Sequence, residues 1–83
     1  VKILYFAWLK EKIGRSDETI DPPAHVSTVG ALLDWLADRG PEFADALKDR
    51  DVVRVAVNQE HAQRADPISS TDEVALFPPV TGG

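Results

Sequence analysis

The order of apolar patterns along these 83 residues predicts an α+β fold, one sheet of short strands with a main helix packed on one face. Two observations carry that prediction. Val29, Leu32, Leu33 and Leu36 fall at i, i+3, i+4 and i+7, the stripe of an amphipathic helix. Around it stand runs rich in β-branched and aromatic residues, at 1–7, 52–58 and 73–77, with the composition or alternation of strands.

Each element follows from local chemistry. Residues 1–7 open the chain as a strand in which Lys2 is the one charge. Residues 8–14 read as a short helical turn, with Leu9 and Ile13 four apart and Gly14 suited to its end. Thr19 and Ile20 sit in a second short strand, closed by Pro22-Pro23 and near enough to the first for a hairpin. The main helix spans about 28–39; Ser27 or Thr28 caps its start and Gly40-Pro41 closes it. It is placed to be a crossover to a parallel strand. Pro41 begins a second short helix through Lys48, with Phe43 and Leu47 on one face. Residues 59–66 are polar and turn-like, with room for a brief strand, and 69–72 form another polar turn. The last strand stops at Phe77, because Pro78-Pro79 cannot continue a sheet interior. Residues 1–77 are expected to form one domain and 78–83 an extended tail.

Composition narrows the function classes. Nine Lys and Arg against fourteen Asp and Glu leave a net charge of −5, a poor match to a phosphate backbone, so no nucleic-acid partner is expected. No apolar run is long enough to cross a membrane, and no charged-then-apolar leader is visible; a cytoplasmic location is expected. Methionine is absent, and the initiator is expected to have been removed or left out of the numbering. The absence of cysteine removes disulfides, thiolate nucleophiles and Cys-based metal sites. His25 and His61 lack ligand spacing and are expected to be solvated, so no metal site is expected. Asp17-Glu18 and Asp49-Arg50-Asp51 read as charged surface turns, and Ser69 and Ser70 as turn residues without a histidine near in sequence. Gly14, Gly30, Gly40, Gly82 and Gly83 make no phosphate-loop spacing.

Strand parity leaves an apolar face to spare. Charges label the side away from the helix: Lys2 places Leu4 and Phe6 outside, Arg54 places Ala56 there, and Glu73 places Ala75 and Phe77 there. The inner set is then Ile3, Tyr5, Val53, Val55, Val57, Val74 and Leu76. Large apolar groups on an uncovered face mark a partner surface, unless the loop after Trp8 or the 59–66 segment folds over them.

The end of the chain carries the remaining signal. Pro78-Pro79 favours an extended path, and from Pro78 to Gly83 the reach is at most about 20 Å at roughly 3.3–3.6 Å per residue. Gly82 and Gly83 lack side chains, so a terminal carboxylate there can thread a narrow channel.

The string Asp72-Glu73-Val74-Ala75-Leu76-Phe77-Pro78-Pro79-Val80-Thr81-Gly82-Gly83 resembles the C-terminus of the molybdopterin synthase small-subunit family. Val1-Lys2-Ile3-Leu4-Tyr5-Phe6-Ala7 is similar to that family's first strand, and Val55-Ala56-Val57-Asn58-Gln59 to its middle strand and turn. His61 and Arg64 depart from it, since apolar residues are expected in that region. The resemblance implies a ubiquitin-like β-grasp fold and a sulfur carrier for molybdenum cofactor synthesis. It implies that an E1-like adenylyltransferase uses ATP to adenylate Gly83, that a sulfur donor converts the adenylate to a thiocarboxylate, and that the carrier itself binds no cofactor. Sulfur then passes to cyclic pyranopterin monophosphate in the large subunit, within a heterotetramer of two small subunits on a large-subunit dimer. Gly83 takes the covalent role and Gly82 a steric one. Thr81, Val80, Pro79 and Pro78 position the tail, and Phe77 and Phe6, with Leu4 and Ala75, form the docking surface. Two other roles stay open: a sulfur carrier for thiamine or a thiolated metabolite, and a ubiquitin-like protein modifier.

Overall fold

The computed structural model describes residues 1–79. Five strands form one mixed sheet, β1 (Lys2–Tyr5), β2 (Asp17–Thr19), β3 (Arg54–Val57), β4 (Glu60–Ala62) and β5 (Glu73–Phe77), in the order β2-β1-β5-β3-β4. The central pair β1–β5 is parallel and the other pairs are antiparallel. Among the described residues three helices accompany it: α1 (Ala7–Ile13), α2 (Val29–Ala37) and α3 (Pro41–Ala46), with a 3₁₀ turn at Arg50–Val52.

The expected main helix is α2, slightly shorter than the 28–39 span. The Thr28 hydroxyl accepts from the Ala31 N–H at 3.2 Å, which satisfies one orphan donor of the first turn. The helix ends at Ala37, with Asp38 as its C-cap. Val29, Leu32, Leu33 and Leu36 are all buried, as the stripe requires. They share one core with the inner face of the sheet (Ile3, Tyr5, Val53, Val55, Val74 and Leu76) and with Leu9, Ile13, Phe43 and Leu47 from the short helices. Val57, assigned to the inner set, is only partly buried, because it lies next to the open hairpin end of β3. The crossover runs from β2 through α2 to β3; these strands point the same way but are separated in the sheet by β1 and β5.

Several boundaries differ from the expectation, each for a local reason. The first strand stops at Tyr5, because Phe6 becomes the N-cap of α1 and Ala7 enters it with φ 54°, a left-handed turn out of the sheet. Gly14 closes α1 at φ 86° and donates to the Lys10 carbonyl at 2.9 Å. The second short helix ends at Ala46 rather than Lys48, with Leu47 as its cap. Asp17-Glu18 is not a surface turn but most of β2, in which Ile3 faces Glu18 and Leu4 faces Asp17. Ile20 lies just beyond that strand and is buried. Asp49-Arg50-Asp51 is likewise more than a charged turn. Asp49 caps the 3₁₀ turn by accepting from the Asp51 N–H at 3.1 Å, and Arg50 bonds both the Leu47 carbonyl and, at 2.9 Å, Asp34.

The brief strand within 59–66 is β4. Asn58 and Gln59 join it to β3 as a two-residue hairpin loop with φ 52° and 71°. Asn58 also ties the hairpin to β5: its side chain donates to Asp72 at 3.0 Å and accepts from the Glu73 N–H at 3.0 Å.

Candidate functional site

The face of the sheet opposite α2 is built by register. One row across it reads Asp17, Leu4, Ala75, Ala56 and His61, each the direct partner of the next. A neighbouring row pairs Phe77 with Arg54, and another pairs Thr19, Lys2 and Glu73. Residues directly opposite one another project from the same face, so these side chains share one surface. Leu4, Ala56, Ala75 and Phe77 on it are half-buried. Phe6, at the β1–α1 junction, is 47% exposed and is held by its N–H to the Leu76 carbonyl at 3.1 Å.

Neither segment considered as a cover lies over this face as a lid. The segment after Trp8 is not a loop but part of α1, whose Leu9 and Ile13 go into the core. The 59–66 segment supplies β4, which widens the sheet and adds His61 to the same surface. His61 is therefore exposed but not merely solvated: its ring stands edge-on to Phe77, with centroids 5.8 Å apart and planes at 64°. Ala56 on the intervening strand leaves the space in which those two rings meet.

β5 delivers the chain to the end of the sheet at Phe77, and Pro78 and Pro79 are half-buried there. Val80, Thr81, Gly82 and Gly83 lie outside the described residues.

The other singled-out side chains hold the fold. The Ser69 N–H donates to Asp72 at 2.8 Å, and that bond, with the one from Asn58, holds the Asp72 carboxyl below its usual range. His25 is exposed, and among the described residues no group of three or more His, Cys, Asp or Glu side chains is placed to hold a metal ion. A cavity of about 520 Å³ between α2 and β3 is lined by Arg50 and Arg64, which pair with Asp34 and Asp51.

Sequence reasoning missed the cluster around Glu18. The Tyr5 hydroxyl donates to Glu18 Oε2 at 2.6 Å, Arg39 to the same oxygen at 2.9 Å, and Arg15 to Oε1 at 3.0 Å. Both guanidinium groups also lie over the Phe43 ring, at 5.6 Å for Arg15 and 4.8 Å for Arg39. Burial alone pushes the Glu18 carboxyl up, but the bonds from Tyr5 and Arg39 and the two nearby positive charges outweigh it and hold the group low. Burial, reinforced by Glu18, pushes the Tyr5 hydroxyl far up, so it remains a donor. This cluster lies on the core side of the sheet, away from the Phe77 face. It closes the edge of the core between β2 and α3.

A mixed sheet gripping one main helix, with the chain leaving from the central parallel strand, makes this a ubiquitin-like β-grasp protein. The chain belongs to the ThiS family, whose model matches residues 3–83. It is 41% identical to the molybdopterin synthase sulfur carrier subunit of Escherichia coli, over 100% of this chain and 99% of that one. It is 42% identical to the subunit of the same name from Dictyostelium discoideum, over 99% of this chain and 94% of that one. Among solved structures it resembles SAMP1 from Haloferax volcanii with a TM-score of 0.76 and 34% identity, covering 99% of this chain and 97% of that one. Among the described residues no helix is long and apolar enough to cross a membrane.

Proposed function

We propose that this chain is the sulfur carrier subunit of a molybdopterin synthase, with sulfur held on the carboxyl group of Gly83. The observation that carries the reading is the identity of 41% and 42%, across essentially the whole chain, to relatives bearing that name. The chemistry suits a chain without cysteine, which has no side-chain thiol to hold sulfur. An α-carboxylate is ionised at neutral pH and is a poor electrophile. An E1-like enzyme therefore joins it to the α-phosphate of ATP with loss of pyrophosphate, and a sulfur donor displaces AMP to leave a thiocarboxylate.

The charged carrier then docks on the large subunit through the face bearing Phe77, Phe6, Leu4 and Ala75. Pro78 and Pro79 launch the tail, Val80 and Thr81 guide it, and Gly82 admits it to a narrow channel. The thiocarboxylate sulfur of Gly83 bonds to a side-chain carbon of cyclic pyranopterin monophosphate as the oxygen substituent on that carbon leaves. Water then hydrolyses the acyl–sulfur bond, which leaves the sulfur on the pterin and returns the Gly83 carboxylate. Acid and base groups come from the large subunit, and two such transfers build the dithiolene. A heterotetramer of two carriers on a large-subunit dimer lets each active site receive its own tail.

Intact-mass measurement after incubation with ATP, the activating enzyme and a sulfur source tests the scheme. One oxygen replaced by sulfur supports it; an unchanged mass refutes it. A second reading, a protein modifier joined through Gly83 to target lysines, is favoured by the 34% identity to SAMP1, whose kind is also described as a small archaeal modifier protein. Branched Gly-Gly remnants on lysines in digests of cell extract would support that reading.

A further inference from the structure

We propose that Arg54 is the residue by which the docking face selects its partner, through a carboxylate that the partner places beside Phe77. The inference rests on the docking role given to Phe77 above and adds the chemistry of what must meet it. Arg54 is the direct cross-strand partner of Phe77, so the guanidinium and the phenyl ring leave the sheet on the same side. Every other arginine is already matched to a carboxylate: Arg15 and Arg39 to Glu18, Arg50 to Asp34, and Arg64 to Asp51. Among the described residues Arg54 takes part in no ion pair, and it is exposed.

Among the described residues, a chain of net charge −5 with fourteen acidic residues thus keeps one guanidinium unmatched at the edge of its apolar patch. The patch around it is Phe77, Ala75, Ala56, Leu4 and Phe6, a surface that fits another protein rather than a small anion. On a protein surface the anion that matches a planar guanidinium fork is an aspartate or glutamate side chain. Once the apolar contact around Phe77 excludes water, such a pair gains strength and fixes orientation. His61 contributes from β4, on the same side of Phe77 as Arg54 and one strand further out, where its ring stands edge-on to the phenyl. At the opposite edge of the sheet Asp17 faces Leu4 on the same surface, while Lys2 and Glu73 face each other in a separate row on β1 and β5. A partner carboxylate over Arg54 is attracted in one orientation and repelled in the reverse.

The test uses the full-length chain and the large subunit of molybdopterin synthase from the same organism, with affinity measured by calorimetric titration at low and high salt. Arg54→Glu should weaken binding by at least tenfold at low salt, about 1.4 kcal/mol, with a smaller loss at high salt. Arg54→Lys, which keeps the charge but not the planar fork, should lose less affinity than Arg54→Glu. Treating the Arg54→Lys complex with a carbodiimide should then join position 54 to an Asp or Glu of the large subunit through an amide, with loss of water. Wild-type affinity for Arg54→Glu overturns the proposal, as does a complex in which position 54 never forms that cross-link. Phe77→Ala, measured in parallel, separates the two levels: weakened binding by Phe77→Ala with no effect of Arg54→Glu leaves the docking face standing and removes the carboxylate. If the isolated chain dimerises and Arg54→Glu abolishes that dimer alone, the carboxylate belongs to a second copy and the proposal fails.

Discussion

The hydroxyl of Tyr5 donates to Glu18 Oε2 at 2.6 Å across the β1–β2 pair, and the ring that carries it is 1% exposed. Tyr5 also meets Phe43 edge-on at 6.4 Å, so one side chain joins the first strand, the edge strand and α3. A core tyrosine needs a partner for its hydroxyl, and here the partner is an anion already held by Arg15 and Arg39.

Removing that anion should be costly. Glu18→Ala leaves the Tyr5 hydroxyl without its acceptor and two guanidinium groups without their counter-ion. Urea unfolding should show a loss of about 1.5–3 kcal/mol, the range for hydrogen bonds to charged groups. A variant as stable as the parent would mean that the cluster only decorates the edge of the sheet.

The same residue gives stability a defined pH dependence. Its folded-state pKa lies below the ordinary carboxylate value, so the ionised form is favoured by folding. The contribution is complete above the unfolded-state pKa, about 4.3 for a glutamate. It is lost as pH falls through the lower folded value. Thermal unfolding from neutral pH downward should therefore show a steeper acid loss for the parent than for Glu18→Gln, which has no proton to gain. Parallel acid profiles for the two chains would remove Glu18 from the account.

Gln59 offers a gain rather than a loss. It holds φ 71° in the loop between β3 and β4, in the left-handed region that costs an L-residue roughly 1–2 kcal/mol. Glycine removes that cost and adds back part of it as unfolded-state entropy. Gln59→Gly should stabilise the domain by about 0.5–1 kcal/mol in denaturant unfolding, with the hairpin register unchanged. A destabilised variant would show that the glutamine side chain contributes more than its backbone costs.

What could be read before the structure divides along physical lines. The α2 stripe was legible because four large aliphatic residues repeat at helical spacing, and all four are buried. The two faces of the sheet were legible because Lys2, Arg54 and Glu73 mark one parity in β1, β3 and β5, and the register places those residues on one side. β2 starts two residues before the strand expected at Thr19 and Ile20 because Asp17 and Glu18 have no strand composition; what makes them strand residues is the edge of β1. The Glu18 carboxylate reads as a surface charge in the sequence because the guanidinium groups that hold it arrive from positions 15 and 39. The His61–Phe77 contact spans three strands, so it depends on the order β5-β3-β4, which no local pattern encodes.

Because Phe77 and Leu36 lie on opposite sides of the sheet, truncating them should separate binding from stability. Leu36 is fully buried, and Leu36→Ala should cost about 2–5 kcal/mol of folding free energy. Phe77 is half-buried on the outer face, and Phe77→Ala should cost the isolated domain less. In calorimetric titration the same change should weaken large-subunit binding by at least tenfold, the scale of an interface hot spot at about 2 kcal/mol. If Phe77→Ala unfolds the domain as badly as Leu36→Ala and leaves the partner's affinity unchanged, the two faces have been assigned the wrong way round.

The proposed sulfur-carrier role makes its sharpest demand on the tail, because the chemistry it assigns to Gly83 depends on reach. β5 fixes Phe77 in the sheet, and six residues follow it. At roughly 3.3–3.6 Å per residue they carry the terminal carboxyl group at most about 20 Å from the body. Deleting Gly83 withdraws that group by one residue and presents Gly82 as the new terminus; adding a residue after Gly83 overshoots by the same amount. Either change should abolish conversion of the pterin precursor in a reconstituted assay while leaving thermal unfolding as it was, since no core residue is touched. Gly82→Val keeps the length but adds a β-branched side chain and narrows the accessible backbone, so activation and transfer should both fall sharply. Length and width are thus tested separately. Normal turnover by the shortened or lengthened chain would mean that sulfur does not travel on the terminal carbonyl. Normal turnover by Gly82→Val alone would mean that the carboxyl group is presented in the open, with no channel to thread.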